Sequence, residues 1–220
     1  MSKEGQCRLC LEEKPICNSH IILELFYKPL YNGKHQAKQL HYSNPKIETL
    51  QKGIREKLLC KGCEGKLNRF ETYFSRWWYH SGEIPTEVGD KILTFEGLDY
   101  NKIKLLMLSV FWRASISQQK EYININLGIE EEILREIILN EEYLSSTEYP
   151  IYGTIVLQPN TIKIWSENIV HPFCKENSEN DLYGLFVGGC LWHCFVPNGK
   201  GFDFMKPFWL KESGELNMPA

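Results

Sequence analysis

Several absences narrow the class of this 220-residue chain. It has no run of about 18 apolar residues, the length a membrane-crossing helix needs. Its opening stretch, from Met1 to Cys7, contains no apolar signal region. There is no internal repeat and no low-complexity tract, which excludes solenoids and composition-driven disorder. Aspartate is missing from the first 80 residues altogether. These absences lead us to expect a cytoplasmic protein with no membrane contact. Thiols stay reduced in that compartment, so the eight cysteines are expected to favour metal over disulfides.

What is present supports a folded core, with 43% hydrophobic and 13% aromatic residues. The length allows one large domain or two small ones. The net charge of −3 conceals a split. Residues 1–80 carry 14 Lys and Arg against 8 Glu, a balance of +6, whereas residues 81–220 carry 11 against 20 acids, a balance of −9. A basic first third on an acidic body fits a localised nucleic-acid surface, and a merely solvated basic face has the same composition. The breaker-rich segment 81–90 coincides with the charge reversal. We therefore expect a module over 1–82 and a body over 83–220.

Periodicity predicts helices over 65–80, 99–117 and 128–143. Leu67, Phe70, Phe74 and Trp77 share one face of the first, and the second is apolar nearly all round. Turn residues predict a hairpin of 152–158 with 161–166 around Pro159-Asn160, and strands over 182–196 and 201–210. The expected class is α+β, with helices preceding a small antiparallel sheet.

The strongest motif is a pair of Cys-x-x-Cys knuckles, Cys7/Cys10 and Cys60/Cys63. Each knuckle brings two thiolates to one ion, and two knuckles complete a tetrahedral Zn²⁺ shell. The remaining cysteines, Cys17, Cys174, Cys190 and Cys194, read as buried structural thiols. Between the knuckles stands Ser19-His20-Ile21-Ile22. A neutral His20 could take a proton from an attacking water, though a histidine beside isoleucines is also an ordinary core residue. After the second knuckle, Glu64, Asn68 and Glu71 follow at helical spacing, oxygen donors suited to Mg²⁺ or Mn²⁺. Lys66, Arg69 and Arg76 form a second stripe that could hold phosphates. The bland reading of both stripes is a solvated helix surface. Trp77-Trp78-Tyr79 reads as a joint docking the module on the body, with a base-stacking platform as the alternative. His35 and His41 lie between the two halves of the module and could approach the site.

The order of these elements resembles the HNH endonuclease superfamily, the ββα-metal nucleases. It resembles most the bacterial HNH-like proteins with a Ser-His-Ile-Ile core, which are often associated with anti-phage defence. The resemblance covers roughly residues 7–75. It implies a ββα module with His20 as general base and Glu64 at a metal-ligand position. Ser19 stands where the family has a metal-binding aspartate, no asparagine precedes the second knuckle, and the usual Cys-Asn-x-x-Lys becomes Cys63-Glu64-Gly65-Lys66. The function expected is metal-dependent cleavage of nucleic acid, DNA in particular, with the acidic body serving a partner protein or an oligomer. The alternative is a non-catalytic zinc-binding adaptor that contacts DNA or a protein.

Overall fold

In the computed structural model the described residues are 4–34, 36–41, 44–89, 92–175 and 180–220. His35 lies outside them, as does the side chain of His41. The order is β1 (Glu4–Gln6), β2 (Glu13–His20), α1 (Glu24–Tyr27), β3 (Ala37–His41), β4 (Asn44–Leu50), β5 (Arg55–Cys60) and α2 (Lys61–Ser75). Then follow β6 (Ile92–Phe95), α3 (Tyr100–Ile116), α4 (Glu130–Asn140), β7 (Ile151–Ile155), β8 (Val170–Lys175), β9 (Asp181–Val187), β10 (Cys190–Val196) and β11 (Leu216–Pro219). Helices and antiparallel sheets are mixed, as the α+β class requires. No helix among the described residues is long and apolar enough to cross a membrane.

β1 and β2 form a hairpin whose connection is the first knuckle, and β2 pairs with β5. β5 ends at Cys60, and α2 starts at the next residue. The helix thus begins earlier than its apolar period predicts, because the knuckle itself supplies the first turn. Leu67, Phe70 and Phe74 are buried as their spacing requires. The helix then widens into a π turn over Arg76–His80, which brings both Trp77 and Trp78 inward.

Those tryptophans join Trp192 of β10 in one aromatic cluster, with Trp78 and Trp192 centroids 5.5 Å apart. Trp78 Nε1 donates to the Gly188 carbonyl at 3.0 Å. Gly188, in the β9–β10 turn with φ of 62°, must stay glycine, since a Cβ there would stand 2.7 Å from that nitrogen. Trp77 and Trp78 are core residues, which removes the base-stacking alternative. One cluster of buried side chains runs from Cys7 to Met218 and crosses the expected 82–83 boundary without interruption.

α3 lies at the centre of this core, with Ile103, Leu105, Leu106, Leu108 and Val110 all fully buried. Burial of each such side chain contributes about 2 kcal/mol. Asp99 caps it by accepting from the Lys102 amide at 3.1 Å. The main sheet has the order β7-β10-β9-β8. On β10, Cys190, Trp192 and Cys194 face the core together, so these two cysteines are buried thiols as expected. Two expected strands are corrected. Residues 161–166 do fold back on 156–158 around Pro159-Asn160, with Gln158 N donating to Lys163 O and Trp165 N to Val156 O at 2.8 Å each, but the pairing is a bridge at Leu157 and Ile164 and not a full strand. Residues 201–210 hold a 3-10 helix, Asp203–Phe208, because Pro207 cannot donate to a ladder. The last strand is instead β11, which pairs with β6 across the length of the body.

Candidate metal centre and histidine site

The four knuckle sulfurs converge: one Sγ from each of Cys7, Cys10, Cys60 and Cys63 lies within 4.8 Å of all the others. Cys10 and Cys60 Sγ are 3.9 Å apart. Sulfurs around a tetrahedral zinc are about 3.8 Å apart, given a Zn–S distance of about 2.3 Å. The donor set and spacing fit a closed four-thiolate site that could hold zinc.

Local backbone chemistry builds this centre. Cys7 N donates to Glu12 O at 2.9 Å and Leu11 N to Cys7 O at 2.8 Å, folding the first knuckle back on itself. Arg8 N donates to Leu58 O at 2.9 Å, which fixes the knuckle against β5. Cys60 and Cys63 sit at the N-terminus of α2, where the helix dipole favours thiolates. The Cys60 amide also donates to Cys7 Sγ at 3.3 Å. From the body, Arg135 of α4 donates to Leu9 O at 2.8 Å, so α4 clamps the knuckle.

Without a cation the thiols oppose one another. Burial, and then the Cys7 charge, push Cys63 far up, and burial raises Cys10. At Cys60 the effect of burial is outweighed by hydrogen bonds from the Cys63 amide and the neighbouring thiols, and its pKa falls. Four thiolates this close require a cation between them.

His20 ends β2, and its Ile21 amide donates to Ile54 O at 3.2 Å. Strand alternation sends Ser19 inward, where it is 1% exposed and its Oγ accepts from the Leu59 amide at 3.1 Å. His20 therefore faces the other way and keeps 21% of its side chain exposed. Arg55 Nε donates to His20 Nε2 at 2.8 Å, and Glu24 Oε2 stands 2.7 Å from the same nitrogen. Tyr31 donates to the other Glu24 oxygen at 3.0 Å. Burial, and then the Arg55 charge, hold the His20 pKa below 6.5 while Glu24 pulls it upward. That direction favours the uncharged imidazole.

Arg113 of α3 links this histidine to α2. Its Nη1 donates to His20 O at 2.9 Å and to Glu71 Oε1 at 3.4 Å. Burial, opposed by Arg113 and reinforced by the Glu64 charge, raises the Glu71 pKa. Glu64 Oε1 is shielded from solvent and has no hydrogen-bond partner. Arg113 thus joins the His20 backbone carbonyl to the Glu71 carboxylate, and the Glu64 charge acts on Glu71, whereas Asn68 is exposed on α2. The basic stripe is largely engaged. Lys66 pairs with Glu141 at 3.5 Å and donates to Leu139 O, and Arg69 pairs with the same Glu141, just past α4. Arg76 is exposed.

Glu24 and Arg55 escaped the sequence reading, whereas Arg113, at the end of the buried helix, is the core residue with one paired charge that its position suggests. The only available signal was Glu24 at i+4 from His20, with the polar Arg55 opening β5. No family model, no curated protein and no solved structure matches this chain.

Proposed function

We propose that this protein is a metal-dependent hydrolase of nucleic-acid phosphodiesters, built on a zinc-stapled ββα module of the HNH kind. The reading is carried by one observation: Arg113 ties the carbonyl of His20 to Glu71, a carboxylate that also feels the charge of Glu64. The order of β2, β5 and α2 supports it, because it is the succession of strand, strand and helix that such a module needs. In this reading the four cysteines hold Zn²⁺ as a staple. His20, neutral at pH 7, accepts the proton of the attacking water. Glu64, with Glu71, holds a divalent cation such as Mg²⁺ or Mn²⁺, which supplies charge stabilisation at the phosphate when bound. Arg76, and Lys66 and Arg69 on release from Glu141, meet the backbone of the nucleic acid.

A second reading, a zinc-binding adaptor without catalysis, is favoured by the pairing of Glu71 with Arg113 and of Arg69 with Glu141. Those pairs commit a ligand and a phosphate contact to structure. The test is incubation of plasmid DNA, single-stranded DNA and RNA with Mg²⁺, Mn²⁺ or Ni²⁺, with and without EDTA. Cleavage that falls about 10²–10⁴-fold in His20→Ala, with zinc retained, is the expected result. Binding without cleavage under every ion selects the adaptor.

A further inference from the structure

Two charged groups converge on one nitrogen of His20, and they make incompatible demands on it. Arg55 Nε, always a donor, reaches Nε2 at 2.8 Å and needs a lone pair there. Glu24 Oε2, an acceptor when ionised, is 2.7 Å from the same Nε2 and needs a proton there. A neutral imidazole satisfies only one of them. Arg55 Nε meets the directional requirement of a hydrogen bond at Nε2, which Glu24 Oε2 at its 2.7 Å does not. With Arg55 as the donor, a neutral ring carries its proton on Nδ1 and its Nε2 lone pair is spent on Arg55. In that state neither nitrogen can accept a proton from water.

The rest of the cluster supplies the alternative state. Arg55 Nη2 stands 3.7 Å from Glu24 Oε2, and Arg55 keeps 27% of its side chain exposed. A phosphate oxygen arriving from solvent competes for this guanidinium with the geometry it binds best, two parallel N–H donors. Glu24 itself is held in place, because its other oxygen accepts from Tyr31 at 3.0 Å and Tyr31 Oη accepts from the Gly53 amide at 3.2 Å.

We propose that Arg55 is the phosphate-contacting residue of this site and Glu24 the positioning residue of His20. When a phosphodiester draws Arg55 away, the proton moves to Nε2, donates to Glu24, and leaves the Nδ1 lone pair free as the base. The change is a tautomer exchange through solvent: one proton leaves Nδ1, one arrives at Nε2, and the net charge is unchanged. This rests on the reading of His20 as general base, but its test does not require turnover.

The experiment is long-range ¹H–¹⁵N correlation of the His20 imidazole at neutral pH, in the full zinc-loaded chain with no added Mg²⁺ or Mn²⁺. The expected pattern for wild type is Nδ1–H with unprotonated Nε2. Arg55→Ala, and Arg55→Met as a volume-retaining check on folding, should invert it to Nε2–H. A short single-stranded oligonucleotide, or inorganic phosphate at high concentration, should move wild type toward the same inverted pattern. Glu24→Leu should abolish that response, because no acceptor then remains beside Nε2. Nε2–H in the free wild type, an unchanged tautomer in both Arg55 variants, or no movement with oligonucleotide bound would each overturn the proposal. Absence of cleavage with a correct tautomer response would instead count against the hydrolase reading alone.

Discussion

Removing the Arg113 guanidinium tests the central junction most directly. Arg113 is 1% exposed and paired with Glu71, which is 22% exposed. It also donates to His20 O at 2.9 Å and to Ser109 O at 3.2 Å. Arg113→Met fills much of the same volume and removes every donor. Breaking a buried pair on one side costs roughly 3–5 kcal/mol, because the partner charge is left uncompensated. Glu71 can escape by taking a proton. From an ordinary 4.5, protonation at pH 7 costs at most about 3 kcal/mol, at about 1.4 kcal/mol per pH unit. Its partial exposure lowers this further. The unsatisfied His20 carbonyl adds about 1 kcal/mol. The expected loss is therefore about 3 kcal/mol at pH 7, read by urea denaturation. Two consequences follow from the mechanism. In the variant the folded-state pKa of Glu71 lies above its unfolded value, so its destabilisation grows as pH rises and shrinks toward pH 5. The double variant Arg113→Met/Glu71→Gln should recover about half the loss, since no charge remains to be stranded. Additive single effects, or a loss independent of pH, would refute the assignment of Glu71 as a buried counter-ion.

The metal centre predicts about one zinc per chain by elemental analysis. Cys60→Ser should lose it, and amide-exchange protection should fall first in β1, β2 and β5; an intact, fully protected variant would remove the staple. The His193 ring stacks on Tyr152 with centroids 4.5 Å apart, and burial lowers its pKa to about 4. The unfolded chain then protonates first, so stability is lost as pH falls from 6.5 toward 4, by at most about 3 kcal/mol. His193→Phe should flatten this part of the urea-midpoint curve relative to wild type, and an unchanged slope would show that the ring is solvated.

Local spacing made the metal centre legible. A Cys-x-x-Cys knuckle closes through contacts within a few residues, and only the meeting of two knuckles needed tertiary structure. The buried nature of α3 was legible for the same reason, since a helix apolar on all sides has no surface to offer water. Edge elements were not. β11 pairs with β6 over a separation of more than a hundred residues, and its four residues carry no periodicity long enough to detect. Of the basic stripe, Lys66 and Arg69 lie on α2, while Arg76 falls in the π turn beyond it. What engages Lys66 and Arg69, Glu141, follows a helix that neither spacing nor charge places beside them.

The histidine site shows the same limit at the level of chemistry. Ser19 and His20 are adjacent in sequence and opposite in space, because β2 alternates. A resemblance to HNH proteins directs attention to Ser19 as a lost metal ligand. Yet its hydroxyl is spent on the Leu59 amide inside the module, at a position 1% exposed where a carboxylate would be buried. The groups that do govern His20 come from three separate elements: Glu24 from α1, Arg55 from β5 and Arg113 from α3. Each reads as an ordinary surface or core charge when taken alone. Their meaning depends on sharing one imidazole, and a strand pairing, a helix packing and a short turn must all form before that happens. A site assembled this way can keep its geometry while its recognisable motif letters change, which is why the chemistry around His20 is better tested through Arg55 and Glu24 than by restoring an aspartate at position 19.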